Sequence, residues 1–402
     1  MSAIQKKSDP IRSIAQFIFI VYIFALFMFS FQTDLVEYTE YVFMAFAAFA
    51  VIYTLEKKTL IFAKEHYFLL GFCFISFLTS LWAIDFNTAF NSSVSLTLLV
   101  IMSILIYQVF DEEEVSKLLK AVFYAGVALV VSTIINAGFI EYIDAILTGE
   151  RLGGAMNAPN TFGVYCSISF IFGIYLFKEK KLLYSILLFV LFTGILASGS
   201  RNAFIITIIG TILAILFAFK SLTNVKKFLL ILLFIALILV VYSLGLLDNI
   251  FSRIENLETS VGENISEDPS FQSRIFMITF GLENFIYKPI FGYGINNAQF
   301  LLEDVFARTY LHNNYIELLV DVGIVGFCLY YIPQINLIKS LFKKRGDTLD
   351  ICEILFVVLI VLMIADLSIV FYYNKLTYII LTIAMLANKS SSNKKQGKVL
   401  NE

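Results

Sequence analysis

A series of apolar runs near twenty residues long dominates this 402-residue sequence and constrains its fold more than any other feature. Several of these runs contain no charged residue, and 59% of all residues are hydrophobic. A helix of about twenty apolar residues matches the thickness of a bilayer's hydrocarbon core. A water-soluble protein could not hide so much apolar surface. The sequence therefore predicts an all-α, polytopic membrane protein.

About twelve candidate spans can be placed, although the second and third are short enough to leave a count of ten or eleven open. They cover roughly residues 13–31, 39–54, 67–82, 94–110, 117–136, 158–177, 182–198, 202–219, 227–246, 313–338, 350–370 and 375–388. With a cytoplasmic N-terminus, the inner segments hold 22 of the 29 lysine and arginine residues. Because cytoplasmic loops carry an excess of basic residues, this distribution predicts twelve spans with both termini in the cytoplasm.

The spans divide the chain into four parts. Residues 1–246 hold the first nine helices, 247–311 form a large extracytoplasmic loop, 312–388 hold the last three helices, and 389–402 form a cytoplasmic tail. The tail is rich in lysine and serine and is predicted to be disordered. Within the loop, apolar residues from Phe271 to Phe285 recur at helical spacing. This pattern predicts an amphipathic helix at the membrane surface or over the mouth of the bundle, with Arg274 in its first turn.

Five of the seven basic residues on the outer side are arginines, whose planar guanidinium binds phosphate and carboxylate in a bidentate manner. Arg151 precedes a glycine pair and Asn160, which is expected to cap the sixth span. Arg201 lies in a very short turn at the bundle mouth, where it either binds a ligand or anchors the protein to lipid phosphate. Arg274 is the third candidate. Two outer arginines that nothing nearby constrains are weaker candidates, Arg253 and Arg308.

His312 is one of two histidines and lies where the long polar loop meets the tenth span. A neutral imidazole there can accept a proton as a general base, or the residue can simply anchor the helix at headgroup level. Glu317 and Asp321 are the alternative bases, and either could instead orient the imidazole. His66 is interpreted as an interfacial residue without a role. The four cysteines have no paired spacing, and no ligand-spaced cluster predicts a metal site.

Several arginines and one base on the outer face indicate a specific chemistry. The arginines would stabilise a diphosphate as a leaving group while the histidine deprotonates an incoming hydroxyl, as in glycosyl transfer from a lipid-linked diphosphate sugar. A transporter of lipid-linked sugar is the competing class. Transporters usually show internal repeats and charges near the midplane. Here no repeat is visible, and Asp366 is the only acidic residue expected well inside a span.

The sequence resembles the bacterial O-antigen ligase and O-antigen polymerase superfamily from about Leu81-Trp82-Ala83 to the twelfth span. The strongest portion begins at Ser198-Gly199-Ser200-Arg201 and passes through Gly292-Tyr293-Gly294-Ile295-Asn296-Asn297. It ends in His312-Asn313-Asn314-Tyr315, followed by Glu317, Gly323 and Gly326. The topology, with a large outer loop before the tenth span, agrees with that resemblance.

The resemblance implies a metal-independent, inverting glycosyltransferase that needs no cofactor and uses a glycan carried on undecaprenyl diphosphate. His312 corresponds to the catalytic histidine of the family and Arg201 to the arginine of its short loop. Arg151 and Arg274 correspond to other arginines that contact the diphosphate. The expected supporting residues are Asn313, Glu317 and Asn160.

The expected location is the bacterial cytoplasmic membrane, with the active site on its outer face. Polymerisation of surface polysaccharide repeat units (O-antigen, capsule or exopolysaccharide) is the favoured activity, and ligation of polysaccharide to a lipid A core remains open. The expected partners are the lipid-linked donor and an acceptor glycan, membrane lipid, a flippase and a chain-length regulator. No nucleic-acid partner is expected.

Overall fold

The computed structural model describes residues 9–30, 32, 34–219, 222–243, 245, 269–303, 305, 309–344 and 350–399, which form helices and connecting loops with no strand. The first ten helices are α1 Pro10–Phe29, α2 Val36–Lys57, α3 Lys64–Ser80, α4 Phe86–Val109, α5 Val115–Ala137, α6 Phe139–Thr148, α7 Pro159–Leu176, α8 Lys181–Ser198, α9 Arg201–Ala218 and α10 Asn224–Ser243. The remaining five are α11 Pro269–Tyr287, α12 Ala298–Glu303, α13 Asn314–Lys343, α14 Asp350–Ala365 and α15 Lys375–Val399. The predicted all-α class is confirmed.

Nine helices in the described ranges are long and apolar enough to cross a bilayer, so the chain is a multi-pass membrane protein. Helix α3 has 17 residues and α14 has 16. In α15 a polar C-terminal half follows an apolar first half. These three helices fall at the remaining predicted spans, and the count of twelve stays a prediction. The tail prediction is wrong in part, because α15 continues through residues 389–399 as helix.

The helices pack into a bundle whose centre is formed by α14 and α15. Helix α14 packs against α7, α9 and α13, while α15 packs against α4 and α13. Nearly all apolar side chains of α14 are buried, as are those in the first half of α15. Helix α10 lies at the periphery, where it contacts α9 and buries none of its own side chains. From Phe228 onward its apolar surface is therefore expected to face lipid.

Close backbone contact joins the helices that carry the predicted arginine sites. A Cβ atom at Gly163 of α7 would lie 2.6 Å from both the Ala203 Cβ and the Ser198 Oγ. Small residues allow membrane helices to approach each other closely, which favours dispersion contacts in the absence of a hydrophobic driving force. The packing at Gly163 holds the start of α7 against the turn between α8 and α9.

Two predictions about buried polar residues are wrong. Asp366 lies just past the end of α14 at Ala365, and the acidic residues buried within the described helices are Glu65, Glu317, Asp321 and Glu353. His66 is fully buried rather than interfacial: its Nδ1 accepts the Ala63 N–H at 3.0 Å, and its Nε2 lies 3.0 Å from the Ser103 Oγ. Tertiary packing supplies hydrogen-bond partners that make such burial tolerable.

Helix α13 is broken at Gly323, where the backbone adopts φ 63° and ψ −170°. The segment that contains Gly292 and Gly294 fills the break. The Tyr293 N–H donates to the Val320 carbonyl at 2.9 Å, and the Gly294 N–H donates to the Asp321 carbonyl at 2.8 Å. Any Cβ at Gly292 would lie 2.4 Å from the Val320 carbonyl oxygen. The Gly292-Tyr293-Gly294 segment thereby satisfies backbone groups that the helix break exposes.

Candidate active site

His312 lies at the start of α13 in a conformation fixed by its neighbours. The next residue, Asn313, is the N-cap: its side-chain oxygen accepts N–H groups from Tyr315 at 3.0 Å and Ile316 at 3.1 Å. This capping satisfies donors that a helix start otherwise leaves unpaired. His312 has φ 54°, in the left-handed region. The chain therefore turns sharply at His312 immediately before the helix begins.

Glu317 controls the residue before His312 rather than the imidazole itself. Its carboxylate is buried, with 1% of the residue exposed, and accepts the Leu311 N–H at 2.6 Å. The expectation that Glu317 or Asp321 orients the imidazole is not met by any hydrogen bond among the described residues. Instead, Glu317 anchors the backbone that carries His312.

Asp321 anchors the loop that precedes the site. It is fully buried, and its two carboxylate oxygens accept N–H groups from Asn296, Asn297 and Ala298 at 2.8–2.9 Å. The Tyr372 hydroxyl donates to the same carboxylate at 3.2 Å. Four donors compensate for much of the cost of burying a carboxylate. Asp321 therefore fixes the 296–298 loop and Tyr372 beside α13.

The electrostatic setting of His312 keeps its imidazole neutral. Burial and then the positive charge of Arg274 lower the pKa of His312 to about 4. The Tyr310 ring packs on the imidazole with 4.1 Å between ring centroids. Burial raises the pKa of Tyr310 against the opposing effect of Arg274. An imidazole that is neutral across the physiological pH range has a lone pair available to accept a proton.

Arg274, whose charge lowers the pKa of His312, lies on α11, the predicted amphipathic helix. The helix is present, but it begins at Pro269, so Arg274 falls in its second turn rather than its first. Ile275 and Leu282 of the predicted apolar stripe remain 49% and 44% exposed. The packed side instead includes Gly281, where a Cβ would lie 2.4 Å from the Ile316 side chain. Helix α11 is apolar on two sides, one against α13 and one facing outward.

Arg151 and the turn before Arg201 come together although they are distant in sequence. The Arg151 Nε donates to the Ser198 carbonyl at 3.2 Å, and its Nη2 donates to the Asn160 Oδ1 at 2.6 Å. The Leu152 N–H also donates to the Ala197 carbonyl at 2.9 Å. Asn160 does not cap α7, because the N-cap is Ala158 and makes no side-chain capping bond. The amide of Asn160 orients Arg151 instead.

The Ser200 side chain caps α9 directly before Arg201. Its oxygen accepts the Ala203 N–H at 3.3 Å. The positive end of the α9 dipole therefore lies beside Arg201 and adds to its field. A cavity of about 690 Å³ opens next to Arg151 and is lined by polar groups of the α5 C-terminus and by the Gly153-Gly154-Ala155 segment.

The structure thus forms two groups of predicted residues. One contains Arg151, Asn160 and the turn leading to Arg201. The other contains Arg274, His312, Asn313 and Glu317, together with Tyr310, which sequence reasoning missed. Two further predicted candidates, Arg253 and Arg308, lie outside the described residues.

The connection between α14 and α15 lies between the two groups. The Asn314 N–H donates to the Asp366 carbonyl at 2.8 Å, and the Asn313 amide donates to the Leu367 carbonyl at 3.1 Å. At its other end, Asn374 accepts the Tyr165 hydroxyl of α7 at 3.1 Å. The start of α13 and the N-terminal half of α7 are therefore joined across one face of the bundle.

Comparison with known families matches residues 186–331 to the family described as O-antigen ligase. The matched stretch contains Arg201, Arg274 and His312, whereas Arg151 and Asn160 precede it. Among curated proteins, no match to the chain was found.

Proposed function

We propose that this chain, which is similar to the O-antigen ligase family over residues 186–331, transfers glycan from an undecaprenyl-diphosphate-linked donor to a sugar hydroxyl. The observations that carry the proposal are the half-buried His312, whose pKa is lowered by burial and by the charge of Arg274, and a second arginine, Arg151, whose guanidinium is held by the Asn160 amide oxygen. A base and several bidentate phosphate ligands together suit displacement of a diphosphate.

The proposed reaction is a single displacement. The acceptor hydroxyl oxygen attacks the anomeric carbon of the donor sugar, and its proton passes to the His312 imidazole. The bond between the anomeric carbon and the diphosphate oxygen breaks, and the diphosphate leaves with the electron pair. The products are a new glycosidic bond of inverted configuration and undecaprenyl diphosphate.

The arginines stabilise the negative charge that grows on the leaving diphosphate. Preorganised donors placed where charge develops lower the barrier by several kcal/mol. The Asn160 amide and the Ser198 carbonyl hold Arg151 in one orientation, so little side-chain entropy is lost when it binds phosphate. Burial and then the Arg274 charge lower the pKa of the His312 imidazole before reaction, and the departing diphosphate would compensate for the imidazolium that forms.

Polymerisation of surface polysaccharide is the favoured activity, and ligation to a lipid A core is the second candidate. The deciding experiment uses purified protein in detergent with the lipid-linked repeat unit of its host, followed by sizing of the products. A ladder of lengthened lipid-linked chains establishes a polymerase. Transfer only after a separate acceptor lipid is added establishes a ligase. Movement of substrate across liposomes without a new glycosidic bond would instead establish a transporter.

We place the protein in the bacterial inner membrane with both termini in the cytoplasm and the site on the outer face. A flippase would then deliver the donor to that face, and a chain-length regulator would act on the product.

Transfer is expected to be metal-independent. It should therefore continue in the presence of a chelator, and loss that a divalent cation restores would contradict this mechanism.

The pH dependence of kcat/KM should reflect the depressed pKa of His312. The base works in its deprotonated form, and a pKa of about 4 keeps it deprotonated over a wide range. We expect kcat/KM to stay level from neutral pH to about 5 and to fall only near 4, whereas an unperturbed histidine would lose half its activity near 6.5. Preincubation at each pH controls for irreversible unfolding. A midpoint between 6 and 7 would contradict the assigned environment.

Arg201→Lys should slow transfer on the order of tenfold, because a compact ammonium loses bidentate contact with phosphate. Initial rates at varied donor concentration measure the effect. Arg12→Lys is the matched control, since Arg12 pairs with Asp111 and Glu114 where α1 meets the α4–α5 connection, away from the site. Full activity in Arg201→Lys would mean that charge alone suffices at this position.

A further inference from the structure

A second cavity, of about 570 Å³, opens beside the His312 group. Its walls come from four separate parts of the chain: the first turns of α4, the loop after Gly294, the residues just before His312, and the α14–α15 connection. Ligand sites typically have volumes of about 300–1,000 Å³, so a sugar unit fits within it. No predicted arginine site lines this cavity among the described residues.

Amides and hydroxyls form much of its wall, and several are held in place by each other. The Asn296 amide donates to the Ser92 hydroxyl at 3.0 Å, and the Gln299 amide donates to the Asn296 side-chain oxygen at 3.0 Å. The Tyr372 hydroxyl is fixed by Asp321. Preorganised polar groups bind with a smaller loss of entropy than mobile ones. A pyranose presents matching groups, because each ring hydroxyl can both donate and accept.

The aromatic rings of three tyrosines complete the cavity wall: Tyr310, Tyr372 and Tyr373. A pyranose ring has an apolar face of C–H groups that packs on aromatic rings, while its hydroxyls extend sideways to polar partners. Tyrosine supplies both an apolar ring and a hydroxyl. The combination of amides, hydroxyls and tyrosines therefore suits a sugar better than an apolar or purely ionic ligand.

The cavity adjoins the base through a single side chain. Tyr310 lines it, and the same ring packs on the His312 imidazole at 4.1 Å between centroids. A general base must lie within hydrogen-bond reach of the proton that it removes. Of the two substrates, the acceptor carries that proton, so a cavity whose wall includes the ring packed on the imidazole suits the acceptor. The Arg151 group, by contrast, suits the diphosphate of the donor.

We propose that this cavity is the acceptor subsite and binds a pyranose ring of the acceptor, the substrate that His312 deprotonates. The assignment rests on the proposed glycosyl transfer and deepens it, because it separates a sugar-binding acceptor side from an arginine-lined donor side. Residues of α4 and of the 296–299 segment then select the acceptor sugar, although they are distant in sequence from the catalytic histidine.

The test compares two substitutions on one turn of α4. Ser95→Trp places an indole in the cavity, whereas Val94→Trp places it on a neighbouring face that does not line the cavity. Ser95→Trp should raise the acceptor KM about tenfold or more and change the donor KM little, because a filled subsite costs at least ~1.4 kcal/mol of binding. Val94→Trp should behave as wild type. Thermal unfolding verifies that both variants are folded.

A direct binding measurement separates this inference from the proposed reaction. Saturation-transfer NMR with methyl hexopyranosides and methyl N-acetylhexosaminides should show sugar contact in wild type and Val94→Trp, and its loss in Ser95→Trp. That result supports a sugar subsite even if no transfer is detected, in which case the proposed reaction fails alone. Normal transfer with equal acceptor KM and equal NMR signals in the two variants would overturn the subsite while leaving the reaction intact.

Discussion

Replacing His312 by alanine should reduce glycosyl transfer by about 10²- to 10⁴-fold, the range expected when a general base is lost. No other imidazole among the described residues lies near the site, since His66 is buried between α3 and α4. Binding of the lipid-linked donor should persist, because the arginines remain. The measurements are the initial rate of glycosidic bond formation and the affinity of the purified variant for the donor.

His312→Asn is the more informative variant, because it removes the base and introduces a residue that readily adopts the backbone conformation at this position. His312 has φ 54°, and asparagine adopts the left-handed region far more readily than alanine. If loss of the base is the only cause of inactivity, His312→Ala and His312→Asn should be equally inactive. His312→Asn should be the more stable of the two in thermal unfolding. A variant that retained wild-type rates would end the assignment of His312 as the base.

Replacing Arg274 by methionine should have two separable effects. Loss of a diphosphate ligand should lower kcat/KM on the order of 10²-fold. Loss of the positive charge should also raise the pKa of His312, because that charge contributes to its value of about 4. A raised pKa means that the base becomes protonated at a higher pH. The fall of kcat/KM on the acid side of the profile (the acid limb) should therefore shift to higher pH. The full pH profile measures both effects.

Arg274→Lys is the matched control for this prediction. The charge remains, so the acid limb should stay near its wild-type position, while the loss of bidentate contact should still lower the rate. An acid limb that does not move in Arg274→Met would mean that burial alone depresses the pKa of His312. A normal rate in both variants would remove Arg274 from the site.

The positions of the membrane helices could be predicted because each depends on its own residues. An apolar run of about twenty residues satisfies its backbone internally and its side chains in lipid, whatever its neighbours do. The runs from 158–177, 182–198 and 202–219 accordingly match α7, α8 and α9 to within a residue or two at each end. The arginines were singled out for the same reason, since residue type and the predicted side of the membrane both follow from the local sequence.

Local rules failed where a side chain had two possible partners. Asn160 follows a proline at a helix start and resembles a cap, but Arg151 offers its amide a charged partner at 2.6 Å. Glu317 is near enough in sequence to bond His312, yet the Leu311 N–H takes its carboxylate. On α11, sequence periodicity located the helix but did not decide which of two apolar sides would pack on α13.

The sequence by itself determined the all-α membrane class, the residue types available for chemistry and the similarity to the O-antigen ligase family over residues 186–331. Tertiary structure decided which of those residues meet: Arg151 with the Ser198 turn, Arg274 with His312, and Tyr310 between the imidazole and the second cavity. The physical reason is the sequence separation over which each kind of interaction acts. Helix formation and lipid burial depend on residues a few positions apart, whereas a site depends on hydrogen bonds and packing between segments separated by tens to hundreds of residues, for which a single sequence carries no periodic signal.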